Sequence, residues 1–465
     1  MPRPVALLRP HAPLFASTRL RTLRAGARSR ILFVAAGLIL TACAPANVAA
    51  PPAETQEATP PPAEAAPALP QNVTPVPVTP TAPAAPEITR AALIIPLSGP
   101  AAAIGQDLAD AAQMALFDFA VPKFELRIYD SGGNAQAARA ATVRAQAEGA
   151  RVVLGPLFSD AVAGTSSVSR PAGIPVFAFS NDRLIAGGGV YAAGFSAEAQ
   201  IDRVVAFAAR RGLSQFAALV PDDGFGGRMS RILSDVVARR GAGVAATAFY
   251  PGGVEALTET IRALARYEER VEALKDERKL LAERDDAFSK RALERLSTRD
   301  TLGEVGFEAL MLPVGGEEVL QIAPLLAFFD VDPQQVKLLG TWVWDDPAFG
   351  KEPAMLGAWF AAPPPDARAR FVERFREVFG RAPDRLATLA YDGVALAAVL
   401  ARGDVPAPYA RARLENPDGF AGVDGIFRLT ETGAVERGLA VLEVRRDAPR
   451  EIDPAPTSFA APVTN

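Results

Sequence analysis

Three short polar turns carry the side chains best suited to chemistry in this 465-residue chain. Ser98-Gly99-Pro100, Ser159-Asp160 and Ser180-Asn181-Asp182 each close an apolar run. Hydroxyls, amides and the N–H groups of a helix start are suited to holding a small polar ligand. They serve equally well to satisfy the ends of strands. The only histidine is His11 and the only cysteine is Cys43. The rest of the chain therefore has no Ser-His or Cys-His nucleophile, lacks the commonest zinc ligands and cannot close an internal disulfide. With no G-x-S-x-G motif either, no enzyme is expected, and no cofactor or metal is implied.

These turns need elements to position them. Residues 91–97 form a buried-strand run, and a helix from about Gly105 places Leu108, Ala112, Ala115, Leu116 and Phe119 on one face. Residues 124–129 form the next strand, breaking at Asp130 and a Gly pair, and residues 152–154 and 176–179 follow after further helices. A second series, 216–220, 244–250, 307–312 and 336–340, repeats the plan. Strand alternating with helix predicts an α/β fold of two lobes, each a parallel sheet with helices on both faces. Ligands on such sheets sit at the carboxyl ends of the strands, where these turns lie. Gly224, Gly226 and Gly227 fit neither the dinucleotide nor the P-loop spacing and read as a turn with a close helix start.

The first 43 residues stand apart. They hold seven arginines (3, 9, 19, 21, 24, 28 and 30) and no acid, then the apolar run 31–40, too short to span a bilayer. Leu40-Thr41-Ala42-Cys43 matches the bacterial lipobox, so 1–42 is expected to be a lipoprotein signal peptide and Cys43 the lipidated residue. Of the 49 Lys and Arg, the leader's seven removed, 42 face 53 Asp and Glu. That acidity argues against a nucleic-acid partner. Residues 43–87 follow as a Pro- and Ala-rich linker unable to form a core.

Pro96-Leu97-Ser98-Gly99, Asp130 before its Gly pair, Gly155-Pro156-Leu157-Phe158-Ser159, Gly173-Ile174-Pro175-Val176 and Tyr391-Asp392-Gly393 occur together and in order. In this the chain resembles the type I periplasmic binding proteins of the leucine/isoleucine/valine-binding family, from Ala91 to about Arg445. The resemblance implies a hinged cleft between first-lobe segments 88–196 and 346–405 and second-lobe segments 197–345 and 406–448, with 449–465 a loose tail. It implies Ser98, Phe158, Ser159, Ser180 and Asn181 as cleft residues of the first lobe, and Phe225, Trp344 and Asp392 as further cleft candidates. Trp342 and Trp344, read as strand residues, share a face, one buried and the other walling the cleft. Phe225 stands where amino-acid binders of the family carry a Tyr, which removes a hydroxyl from the clamp. Residues 267–303 interrupt the plan as a helical insertion, expected to be dispensable for folding and to form either a solvated elaboration or a partner surface.

Tyr267-Glu268-Glu269-Arg270-Val271, Arg299-Asp300-Thr301-Leu302-Gly303, Ile322-Ala323-Pro324-Leu325-Leu326 and Leu339-Gly340-Thr341 resemble the lipoprotein activators of penicillin-binding proteins. The helical-repeat domain that some of them carry ahead of this fold has no counterpart in the sequence, which leaves the target synthase open. The implied function is an envelope lipoprotein that stimulates a peptidoglycan synthase by direct binding. The alternative is the substrate-binding protein of an amino-acid or amide ABC importer, with a small amino-acid-like ligand. Ala44, rather than Asp, after the cysteine implies the outer membrane, facing the periplasm. Cys43→Ser is expected to abolish acyl labelling and release the protein from the membrane fraction; unchanged membrane association would refute the anchor.

Overall fold

Apolar runs buried on both faces become the centres of two sheets. The computed structural model describes residues 88–403 and 405–459; Cys43, the leader, the linker and the last residues of the tail lie outside them. The first lobe runs β1 (Thr89–Ile95), α1 (Ala102–Phe119), β2 (Phe124–Asp130), α2 (Ala135–Ala147), β3 (Ala150–Leu154), α3 (Ser159–Ser169), β4 (Val176–Ala178) and β5 (Val190–Ala192). Its strands pair in parallel in the order β2-β1-β3-β4-β5. Asp130 ties two of the turns together, accepting hydrogen bonds from the N–H groups of Leu97 at 2.9 Å and Gly132 at 2.8 Å.

The second lobe begins with α4 (Ala197–Arg210), β6 (Gln215–Pro221), α5 (Gly224–Arg239), β7 (Gly243–Tyr250) and α6 (Val254–Leu264). It continues through α7 (Tyr267–Ala282), α8 (Ala287–Leu296), β8 (Ala309–Met311), α9 (Gly316–Phe328), β9 (Lys337–Gly340) and β10 (Trp359–Ala362). The chain then returns to the first lobe with α10 (Pro365–Phe379) and α11 (Ala387–Leu400), which pack on α1. A short α12 (Arg411–Leu414) leads to β11 (Phe420–Gly422), β12 (Gly425–Leu429) and β13 (Val435–Arg437), a small antiparallel sheet whose Phe427, Leu429 and Val435 join the first-lobe core. Finally β14 (Ala440–Glu443) and β15 (Arg450–Asp453) complete a seven-stranded second sheet in the order β15-β14-β10-β9-β8-β6-β7.

Two boundaries differ from the sequence reading. Residues 346–362 stay with the second lobe: Phe349 and Met355 join its core, and β10 pairs in parallel with β9 and antiparallel with β14. Phe360, Ala361 and Ala362 are buried, and a strand apolar on both faces is satisfied only inside a sheet. The return to the first lobe therefore follows Ala362, and the segment 406–437 belongs with the first lobe rather than the second. Residues 425–429 pair with 435–437. The turn around Gly433 (φ +81°) joins β12 to β13, and β14 leaves for the other sheet.

The insertion α7–α8 is fastened at its base. The Tyr267 ring meets Phe329 edge-on at 5.2 Å between centroids, and Phe329 is buried in the second-lobe core. Buried Arg270 donates from Nε to the Gly303 carbonyl and from Nη2 to the Asp330 carbonyl, both at 3.2 Å. The first turn of the insertion thus belongs to the core, and only the hairpin beyond it is a candidate for removal. Among the described residues no helix is long and apolar enough to cross a membrane. Arg270→Ala strands these carbonyls and is expected to cost about 2–3 kcal/mol in a denaturant titration; a change within 0.5 kcal/mol of zero would show that the base is not anchored there.

Candidate functional site

The turn residues of the first lobe gather where the strand ends place them, but much of their hydrogen-bonding capacity is spent internally. Ser98 gives both its amide and its hydroxyl to Asp130, the amide at 3.3 Å. Burial works to raise the Asp130 pKa, but these hydrogen bonds outweigh it and hold the carboxylate low. Ser159, the first residue of α3, and Ser180, just past β4, meet hydroxyl to hydroxyl at 3.2 Å. The Ser180 oxygen also accepts from the Asp182 N–H. Phe158 is 39% exposed beside Gly133, and Asn181 is exposed.

Across the cleft, Phe225 lies in the first turn of α5, 36% exposed. The turn before it is held by Asp223, which accepts from the Gly226 N–H at 2.8 Å. Gly226 has no room for a side chain: a Cβ there would sit 1.9 Å from the Pro221 carbonyl oxygen. A cavity of about 920 Å³ between the lobes is lined by Asn181, Arg183, Ser196, Asp202 and Arg437 among others. Of the cleft candidates only Asn181 lines it.

Trp344 and Asp392 are not cleft residues. Residues Trp342–Trp344 form a 3₁₀ turn. Side chains two apart in such a turn point in different directions, so the alternation of a strand does not apply. Trp344 is wholly buried in the second-lobe core, its Nε1–H donating to the Val314 carbonyl at 2.8 Å. Gly340 makes the room, since a Cβ there would fall 2.2 Å from the indole. Asp392 is 2% exposed within α11, where it accepts from the Val423 N–H at 2.8 Å. It is the only charged residue of α11, a helix buried nearly all round, and a charge in such a helix is kept by burial with partners.

What fills the floor between the lobes is Trp342, half-buried and packed against both cores. Its ring lies 5.0 Å from that of Phe195, in the first crossover. The Arg385 guanidinium sits 4.9 Å from the Phe195 ring and 5.2 Å from that of Trp342. Arg437, at the third crossover, stacks on Phe195 and Phe427 at 5.3 Å each and donates to the Ala193 carbonyl at 2.9 Å. Arg203 of α4 donates to the Leu439 carbonyl at 2.7 Å. Further links across the lobes are Arg183 with Glu198, and Arg368 with Asp345 at 3.8 Å; burial lowers the Arg368 pKa to about 10. Residue-by-residue reading missed Phe195, Arg385 and Arg437. The available signal was arginine placed directly beside strongly apolar runs.

The family model described as "Periplasmic binding protein" matches residues 89–449. The chain belongs to the periplasmic binding protein family. Solved structures share its type I periplasmic binding fold. One is a protein assigned to a branched-chain amino acid ABC transporter of Rhodospirillum rubrum, 21% identical, covering 78% of this chain and 99% of that one, TM-score 0.60. A solute-binding protein of Rhodopseudomonas palustris BisB5, in complex with 3,4-dihydroxybenzoic acid, is 15% identical over 80% and 98% of the two chains, TM-score 0.53. Full-length LpoA from Haemophilus influenzae is 14% identical over 79% of this chain and 59% of LpoA, TM-score 0.56. Among curated proteins, the uncharacterized protein RP748 of Rickettsia prowazekii is 23% identical over 171 residues. That match spans 37% of this binding protein and 46% of RP748, so it reaches about half the relative's length.

Phe225 offers no hydroxyl, and Ser98 and the Ser159–Ser180 pair spend part of their hydrogen-bonding capacity within the first lobe. A lost hydrogen bond to a charged ligand group costs about 1.5–3 kcal/mol, roughly ten- to a hundredfold in affinity. Calorimetric titration with leucine is therefore expected to give no binding at micromolar concentration; a micromolar or tighter constant would overturn this.

Proposed function

We propose that this chain is an envelope lipoprotein, anchored through Cys43, whose binding-protein domain stimulates a penicillin-binding protein by direct contact. The observation that carries the reading is the filled floor of the cleft. Trp342 packs on both lobe cores and on Phe195 and Arg385, so the protein's own side chains fill part of the space between the lobes. A domain so arranged acts through its outer surface, and the α7–α8 hairpin supplies an outer surface that the plain two-lobed plan lacks. Its exposed Leu280 and Phe288 flank the bend between the helices, and additions on a rigid scaffold are frequent sites of new binding. The resemblance to the activator lipoproteins and the shared fold with LpoA agree with this reading.

A second reading is a solute receptor for an amino-acid or amide importer. It is favoured by the Ser159–Ser180 pair at the strand ends and by the transporter proteins that share the fold. The two readings separate in one assay. Full-length protein is added to a purified bifunctional penicillin-binding protein, and glycan polymerisation and peptide cross-linking are followed. Several-fold stimulation is expected, reduced by Phe288→Asp at the hairpin. No binding and no stimulation across the synthases of the source bacterium would remove the first reading.

A further inference from the structure

A cavity of about 340 Å³ opens in the first lobe among α1, α10, α11 and the β11–β12 turn. That volume is at the small end of the roughly 300–1,000 Å³ range of ligand pockets. Ser98, Ser159, Ser180 and Asn181 do not line it, so it is separate from the cleft. Its walls are aromatic: the Tyr391 ring lies edge-on to Phe371 at 5.4 Å and to Phe119 at 6.4 Å between centroids. Met114 and Phe371 of the wall belong to a small buried cluster between α1, α10 and α11. The Tyr391 hydroxyl donates to Asp118 at 2.7 Å, and Arg374 clasps the same carboxylate with two nitrogens. The rings are thus held in place before anything binds. We propose that this cavity binds a small monocarboxylate with an apolar body about the size of one ring, its carboxylate at Arg370 and its body among Phe119, Phe371 and Tyr391.

The charges of the lining select the ligand. They are Arg370, Arg374 and Asp392. Arg374 is committed to Asp118. Arg370 is exposed and, among the described residues, has no hydrogen bond, ion pair or ring contact. A planar guanidinium with all its donors free matches a carboxylate through two parallel hydrogen bonds. The same two arginines disfavour a cationic ligand. Gly422 thins another wall to bare backbone, since a Cβ there would fall 2.5 Å from Asp392 Oδ2. That oxygen is buried and has no hydrogen-bond partner. A carboxyl so placed disfavours a second anionic group, which limits the ligand to one. Ala367, Ala395 and Ala421 also line the cavity, and their short side chains leave the space between the rings. Aromatic faces and edges lining that space favour a flat or branched apolar body.

Every wall of the cavity belongs to the first lobe, so filling it requires no closure of one lobe on the other. The inference therefore stands whether or not a synthase is the partner, and whether or not the cleft holds a solute. Affinity comes from two sources, the apolar area covered by the rings and the carboxylate on Arg370. Neutralising the carboxylate removes the second and leaves the first. A hydrogen bond to a charged group, made at the exposed mouth, is expected to change affinity by about tenfold.

The test is saturation-transfer NMR on the full chain carrying Cys43→Ser, so that no detergent micelle takes up the probes. The probes are phenylpropionate, its neutral amide phenylpropionamide, and phenylpropylamine. Phenylpropionate is expected to bind saturably with a dissociation constant of roughly 0.1–1 mM. The amide should bind about tenfold more weakly, and the amine not measurably. Arg370→Glu, at an exposed position, should leave thermal unfolding unchanged, weaken phenylpropionate by about tenfold or more and remove its preference over the amide. Arg370→Lys should keep part of that preference. Ala395→Leu fills the cavity and should abolish binding of the acid; should it fail to fold, Ala421→Leu at an exposed position of β11 serves the same purpose. Equal binding of acid and amide, phenylpropionate affinity unchanged in Arg370→Glu, or no saturable binding up to about 10 mM overturns the site.

Discussion

The lobe arrangement depends on Trp342 of the second lobe, packed against Phe195 and Arg385 of the first. Arg385 lies over Phe195 and Trp342, and Arg437 over Phe195 and Phe427. Phe195 is on the first crossover, Arg437 ends the strand before the third, and Trp342 comes from the second lobe. Cation–ring contacts of this kind contribute about 0.5–1 kcal/mol when exposed and about 2 or more when desolvated. Of these four contacts only that of Arg385 with Trp342 joins the lobes, beside the ring contact of Phe195 with Trp342, and both are less screened than surface pairs such as Arg183 with Glu198, worth about 0–1 kcal/mol.

That arrangement has an electrostatic cost. Taking charges from water costs several kcal/mol each unless geometry and hydrogen bonds offset it. Here the offset is incomplete, as the unpartnered atoms of Arg385, Asp392, Asp424 and Arg437 show. Raising the Asp392 pKa is the cheaper response, because a neutral carboxyl avoids most of the penalty. The same buried cluster thus ties the residues before α11, the end of β13 and the first crossover together within the first lobe.

Much of the fold was legible because its signals are local. The β1 run, the Asp130 turn and the Gly226 helix start each follow from neighbouring residues, and the alternation of strand and helix leads to two parallel sheets. The clamp was not legible, because Arg385 and Asp424 meet across 39 residues and through the topology alone. Asp392 was placed in the cleft, although the apolar helix around it pointed to burial. Trp344 was misplaced because a strand period was applied to a 3₁₀ turn. The return to the first lobe was placed before β10 because β10 and a crossover segment are both short apolar runs, and only the pairing with β9 and β14 separates them.

The central claim is that the lobes are held by their own side chains and do not close on a solute. Small-angle scattering of the full-length protein at fixed pH tests it most directly, with and without a millimolar mixture of the common amino acids, their amides and simple aromatic acids. An unchanged radius of gyration is the predicted result. A saturable contraction on adding any of these solutes would contradict the account, because it would mean that the Trp342 stack yields to a ligand.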